Sequence, residues 1–195
     1  LVKPCLEGQI QMKRRLAPIR GRMFQATFIG IDASGHRDTA CRLRKLAQTS
    51  RVLRGLRDVS WHSQYAWVGI SATSWRELPT VAEITSRALE CECVALDFQT
   101  VSSSFAYHFY TSGQDVRSLV YGYDQEACWE SVAGMPQPWE AAALTGAPVV
   151  SDRESAHSVT RMVKAVREFH RLPPSFEVCE SFGPPWLFRR VPLLW

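Results

Sequence analysis

The sequence predicts an α+β domain built on a mixed, mostly antiparallel sheet with helices on one face. Three observations lead there. Strand-like and helix-like stretches alternate in the order β-α-β-α. An antiparallel meander of three or four strands with a clear hairpin signal comes next, and a final helix closes the pattern. The composition fits one packed domain: 195 residues, 46% hydrophobic and 22% charged, with a net charge of +4. A chain of this size buries roughly 70% of its unfolded surface and needs no staple. Six cysteines in 195 residues are too dilute for a disulfide scaffold, and no apolar run approaches the ~18 residues that span a bilayer.

Each element has its own signal. Residues 23–31 read as the first strand, and Asp32-Ala33-Ser34-Gly35-His36 as the turn that ends it. From about Asp38 to Arg57, Leu43, Leu46, Ala47, Leu53 and Leu56 recur at helical spacing, with Arg42, Arg44, Lys45, Arg51 and Arg54 on the outer face. Residues 65–71 are short and apolar, a second strand. Thr80-Val81-Ala82-Glu83 has the spacing of a capping box. Behind it, Val81, Ile84, Ala88 and Leu89 form the stripe of a short helix over 80–90. Val94, Leu96 and Phe98 alternate with Ala95, Asp97 and Gln99, the period of a half-buried strand. Residues 105–110 and 116–121 flank the turn signal Ser112-Gly113-Gln114-Asp115. Residues 127–132 add a further strand, ended by Pro136 and Pro138, which cannot donate into a ladder. Ser151-Asp152-Arg153-Glu154 is a second capping box; it opens a helix with Val159, Met162, Val163, Val166 and Phe169 on one face, stopped by Pro173-Pro174. The two strands that precede the meander are each followed by a helix, which permits a parallel pairing between them.

Residues 1–22 read as a basic N-terminal extension, 23–171 as a single domain, and 172–195 as a Pro/aromatic tail packed on the domain or on a partner. Residues 1–58 carry 13 Lys/Arg against 4 Asp/Glu, whereas 59–195 carry 10 against 15. Such asymmetry can mark a nucleic-acid-binding arm, here through Lys13, Arg14, Arg15, Arg42 and Arg44. Arg outnumbers Lys by 19 to 4, however, a bias that a GC-rich genome produces without selection for phosphate binding. The first 22 residues show no apolar period, and their basic cluster precedes no apolar stretch of the kind a secretory signal needs. They read most simply as an upstream-start or added segment. The cysteines then suit a reducing cytoplasm.

Candidate chemistry is sparse. Gly30-Ile31-Asp32-Ala33-Ser34-Gly35 resembles the phosphate-contacting turn of actin-like sugar kinases. It also resembles the opening strand of ribonuclease-H-like nucleases, with Asp32 and Asp97 as paired metal carboxylates. In both families a hairpin follows that strand, whereas a helix follows here, so the stretch reads as a turn and helix N-cap. His36, Asp38 and His62 are conceivable metal ligands, with Cys91 and Cys93 as another pair, but structural zinc sites favour C-x₂₋₄-C pairs and four ligands, and no second pair is present. Cys128 with His108 is a conceivable nucleophile pair without a local signature. No G-x-S-x-G, Walker-type or complete dinucleotide motif is present. The sequence therefore predicts no catalytic residue, no metal and no cofactor.

Tryptophan is over-used, with seven in the chain against about two or three at ordinary usage. Trp61, Trp75, Trp139 and Trp186 fall in loop-like segments and are the candidate partner-binding residues. Trp67 and Trp129 fall in strands. Tyr107, His108, Tyr121 and Trp129 are the candidate lining of a pocket between meander and helices.

Residues 105–173 hold a larger pattern. Phe105-Ala106-Tyr107, Val116 to Gly122, Trp129-Glu130 and Gly134-x-Pro136-x-Pro138-Trp139-Glu140 resemble uncharacterised bacterial proteins in which a hairpin leads to W-E and then G-x-P-x-P-W-E. Arg167-Glu168-Phe169-His170-Arg171-Leu172-Pro173 is similar to their closing helix. The resemblance implies a small cytoplasmic bacterial domain with no assigned activity and no catalytic residues. Together these readings predict a non-enzymatic protein-interaction domain, immunity- or adaptor-like, whose acidic 59–195 segment steers a partner. A small-ligand pocket or enzyme, and nucleic-acid binding through 1–58, are the alternatives.

Overall fold

A computed structural model describes residues 24–30, 35–53, 58–61, 66–71, 76–99, 102–124, 127–144, 146–150, 158–172 and 180–181. The elements follow in the order β1 (Phe24–Gly30), α1 (His36–Thr49), β2 (Asp58–Trp61), β3 (Trp67–Ser71), α2 (Leu78–Leu89), β4 (Glu92–Gln99), β5 (Ser104–Thr111), β6 (Gln114–Tyr121), β7 (Trp129–Gly134), α3 (Pro138–Ala143), α4 (Val159–His170) and β8 (Glu180–Ser181). The strands form one sheet in the order β7-β6-β5-β4-β1-β3-β2-β8. Every pairing in it is antiparallel.

The α+β class holds, and two details of the expectation are corrected. The helix-linked strands β1 and β2 run in the same direction but do not pair, because β3 lies between them; likewise β1 lies between β3 and β4. The β1-α1-β2-β3-α2-β4 segment thus has the split β-α-β arrangement of ferredoxin-like sheets, and β5, β6 and β7 extend its β4 edge. The second correction concerns the helices, which lie on both faces. Ala40, Leu43, Leu78, Ala82 and Leu89 of α1 and α2 pack with Val68, Ile70, Cys93, Ala95 and Tyr110. Trp139 and Ala143 of α3, with Val159, Met162, Val163 and Val166 of α4, pack with Val94, Leu96, Phe105, Tyr107, Leu119, Tyr121 and Trp129. Adjacent residues of β4 fall in opposite clusters because successive strand side chains point to opposite faces. The alternation of large Val94 and Leu96 with small Ala95 mimics a half-buried strand. It separates two cores, not a core from solvent.

Local chemistry explains the boundaries. The β5–β6 turn places Ser112 and Gly113 at φ 50° and 81°, the pair of positive values that a two-residue hairpin turn matched to the sheet twist demands. Helix α2 starts at Leu78, with Pro79 in its first turn. Thr80 is therefore inside the helix and caps nothing, and Glu83 pairs with Arg87 one turn on. The Ser151–Glu154 capping box lies outside the described residues; the described cap of α4 is Ser158, whose hydroxyl accepts from the Arg161 amide. His170 and Leu172 continue the buried stripe of α4, and Phe169 is exposed. Of the tail, Leu172 is buried, and β8 pairs with β2.

Among the described residues, no helix is long and apolar enough to cross a membrane.

Candidate functional site

The predicted pocket lining is core. Tyr107 is 0% exposed and Tyr121 and Trp129 are each 1% exposed, because α3 and α4 cover the face that sequence reasoning left open. The Trp139 ring meets Tyr107 edge-on at 5.3 Å between centroids, and Tyr121 lies 5.0 Å from Trp129. Trp139, expected at a partner interface, is 4% exposed; α3 turns it inward. Trp75 and Trp186 lie outside the described residues, as does the side chain of Trp61, whose backbone belongs to β2. Lys13, Arg14 and Arg15 also lie outside them.

Two histidines are consumed by the structure. His170, at the end of α4, shares a 2.8 Å hydrogen bond with the Tyr107 hydroxyl, and its backbone carbonyl accepts from the Trp67 indole at 2.7 Å. Burial pushes its pKa down to about 4 and pushes that of Tyr107 up. His108 faces the other way. Ser118 Oγ donates to the Asp115 carboxylate at 2.8 Å, so its lone pairs are left to accept from His108 Nδ1 at 3.0 Å. Burial again lowers the imidazole to about 4.

The Asp115–Ser118–His108 chain contains the residue types of a hydrolytic triad in the wrong order. In a triad the acid orients the imidazole and the imidazole takes the serine proton. Here the serine is in the middle, and its proton is already committed to the acid. The arrangement holds β5 to β6. Cys128 does not meet His108 either. His108 stands opposite Ser118 and Ser118 opposite Ala133, while Cys128 precedes β7 at its far end.

Of the two carboxylates, Asp32 lies outside the described residues, and Asp97 stands opposite Gln25 near the start of β1. Asp97 is buried beside Tyr123, whose hydroxyl pKa is raised by burial and by that carboxylate. Cys91 and Cys93 share one core cluster, as the C-x-C spacing predicts. Among the described residues no group of three or more His, Cys, Asp and Glu is placed to hold a metal ion.

A polar cleft of about 570 Å³ opens at the end of β1, between Asp38, Thr39 and Arg42 of α1, Trp67 of β3, and Cys91 and Glu92 at the start of β4. Burial raises the Cys91 thiol to about 11 against the opposing pull of Arg42, so it is protonated at neutral pH and is no activated nucleophile.

The G-x-P-x-P-W-E motif builds a lock, which sequence reasoning missed. Gly134 sits at φ 80°, where a Cβ would drive into the Val116 carbonyl oxygen. Pro138 opens α3, Trp139 enters the core, and Glu140 reaches back to accept from the Gln137 amide at 2.7 Å. The same carboxylate takes Arg117 of β6 in a two-pronged pair at 2.9 and 2.6 Å. Arg117 also donates to the carbonyls of Ala133 and Gly134, at 3.2 and 2.9 Å. Both charges are buried, Arg117 at 2% and Glu140 at 5% exposed. The available signal was an arginine inside the apolar strand 116–121, facing a motif glutamate.

This lock fixes the outer edge of β7. Met135 N donates to Val116 O at 3.1 Å, Ser118 stands opposite Ala133, and Val120 opposite Ser131. In an antiparallel ladder the backbone groups alternate sides. Those of residues 131, 133 and 135 face β6 and those of Val132 face away from it, while the Gly134 carbonyl is taken by the Arg117 side chain. Among the described residues no strand pairs with this outer edge. Ala133 and Gly134 are exposed, and Met135 is 77% exposed.

Comparison of the chain with protein-family models, with curated proteins and with solved structures finds no match.

Proposed function

We propose that this chain is a non-enzymatic protein-interaction domain, immunity- or adaptor-like, that takes an extended segment of its partner along the outer edge of β7. The observation that carries the reading is the outward N–H and C=O of Val132, on an edge held by the Arg117–Glu140 lock and uncharged at Ser131, Val132 and Ala133. Natural sheets blunt such edges with lysine or inward charge, because an open edge recruits another strand. Strand addition recruits a partner through main-chain hydrogen bonds. Both faces of the sheet are occupied by packed apolar side chains, which supports an edge over a face as the docking element.

The test is affinity capture by the tagged full chain at low and high salt, beside the variant Val132→Pro. Proline at 132 removes an outward N–H and leaves the inward bonds of 131, 133 and 135 in place. A stoichiometric protein that survives high salt on the wild type and is lost on the variant supports the reading. Recovery of the chain alone, or of a protein that the variant retains, overturns it.

A second reading rests on α1, whose Arg42 and Lys45, with Arg51 just beyond, are exposed on its outer side, while Arg44 is half-buried. It predicts nucleic-acid affinity that falls steeply between about 50 and about 200 mM salt and is lost on reversing the charges of Arg42 and Lys45. Weak or salt-insensitive binding ends it.

A further inference from the structure

We infer that the partner segment taken up by β7 runs antiparallel to it and carries a proline two residues before the residue that pairs with Val132; the inference rests on the edge-docking reading above. In an antiparallel ladder an outward-facing residue exchanges both backbone hydrogen bonds with one opposing residue, and the next such exchange falls two residues on. Val132 offers that exchange through its outward N–H and C=O. Two residues on stands Gly134, whose carbonyl already accepts from Arg117 Nη1 at 2.9 Å. The partner residue opposite Gly134 would bring its own N–H to an oxygen engaged by a guanidinium, and an N–H desolvated without an acceptor costs binding. Proline has no N–H to bring. Because the two chains run in opposite directions, that proline precedes the residue opposite Val132 by two.

The side chains of the edge suit this pattern. Ala133 and Gly134 are exposed and add no bulk, and the neighbouring Met135 and Pro136 are exposed and apolar, company that a proline ring tolerates. Val132 packs against the α3/α4 core, so the partner residue opposite it shares that face and is best β-branched. Pairing ends on the other side of Val132. There the β6–β7 register shifts between Val120 and Tyr121, and the Glu130 carboxylate accepts from the Asp124 amide at 2.6 Å. The recognised stretch is therefore short: proline, a variable residue opposite Ala133, then a β-branched residue. A parallel strand would reverse the order, placing the blocked N–H two residues after the one that donates to Val132. The pairings within this sheet are all antiparallel.

The test selects randomised peptides displayed on phage against the immobilised full chain and measures the selected peptides in solution by fluorescence anisotropy. Expected are peptides with proline, any residue, then valine, isoleucine or threonine. Methylating the amide nitrogen of that β-branched residue should weaken binding about 10-fold, the loss of one hydrogen bond. Alanine in place of the proline restores the N–H and should weaken binding by a similar factor, while N-methylalanine, which lacks it, should bind as proline does. These changes are made in the peptide, so the protein's fold is untouched. Peptides that are weakened by methylation at one amide and lost on Val132→Pro, yet bind equally with alanine or carry no proline there, overturn the proline inference alone. Proline two residues after the sensitive amide does the same. Selection of no peptide, or of peptides indifferent to amide methylation and to Val132→Pro, overturns the edge-docking reading with it.

Discussion

Replacing Glu140 by Gln should destabilise the fold far more than a surface substitution would. Arg117 makes four hydrogen bonds, two to the Glu140 carboxylate and two to backbone carbonyls. The amide keeps the shape but removes the countercharge, leaving a guanidinium at 2% exposure held only by dipoles. Stripping one partner from a buried ion pair costs about 3–5 kcal/mol, a large part of the roughly 5–15 kcal/mol that stabilises a domain. Replacing both partners together, Arg117→Met with Glu140→Met, removes the uncompensated charge as well. The double variant should then cost clearly less than the two single variants added together, the remainder being the lost bonds to the Gln137 amide and to the Ala133 and Gly134 carbonyls. Urea unfolding followed by circular dichroism, read by linear extrapolation, measures Glu140→Gln and the four corners of the cycle: wild type, Arg117→Met, Glu140→Met and the double variant. A Glu140→Gln cost below about 1 kcal/mol, or single-variant costs that simply add, would refute the lock.

Other expectations follow from the same packing. Gly134→Ala forces a Cβ into the Val116 carbonyl at positive φ. It should cost more than the ~1 kcal/mol of an unstrained backbone change, read as a lowered urea midpoint. Trp139→Ala should cost about 3–5 kcal/mol, the range for emptying a buried aromatic site; a near-neutral result would return Trp139 to the surface. His108 and His170 titrate near 4 when folded, against an ordinary 6.5. The unfolded chain therefore binds their protons first as the pH falls. Their contribution is fully present above about 6.5 and is lost progressively down to about 4, by roughly 2 kcal/mol for each histidine at pH 5. Unfolding midpoints compared at pH 7 and pH 5 should show that loss, and it should be smaller in His108→Gln; equal losses with and without His108 would refute its assignment.

The sequence exposed those parts of the fold that depend on local pattern. The β5–β6 hairpin was legible because Ser112-Gly113 is the chemistry of its turn, and the stripe of Val159, Met162, Val163 and Val166 located α4. Strand β2 was not, since the four residues Asp58–Trp61 acquire their meaning only by pairing with β3 and β8. Helix α3 was hidden by its own start signal. Pro136 and Pro138 read as a stop, although proline in a first turn opens a helix as readily as it ends a strand. That omission moved the site. Without α3 and α4 on the second face, Tyr107, Tyr121 and Trp129 look like polar-tipped aromatics lining a pocket. With both helices in place, those residues fill a core. His108 was named with Tyr107 as lining one pocket, yet adjacent strand residues face opposite sides. The β7 edge could not be read in advance, because which amides point outward depends on register with β6.

The most direct measurement of the central claim is amide hydrogen exchange along β7 in the full chain, alone and with the protein that it captures. The outward amide of Val132 should exchange fast in the free chain and slow in the complex. The inward amides of Ser131 and Ala133, already bonded to β6, should change less. An unchanged Val132 rate, with protection appearing elsewhere on the surface, would contradict it.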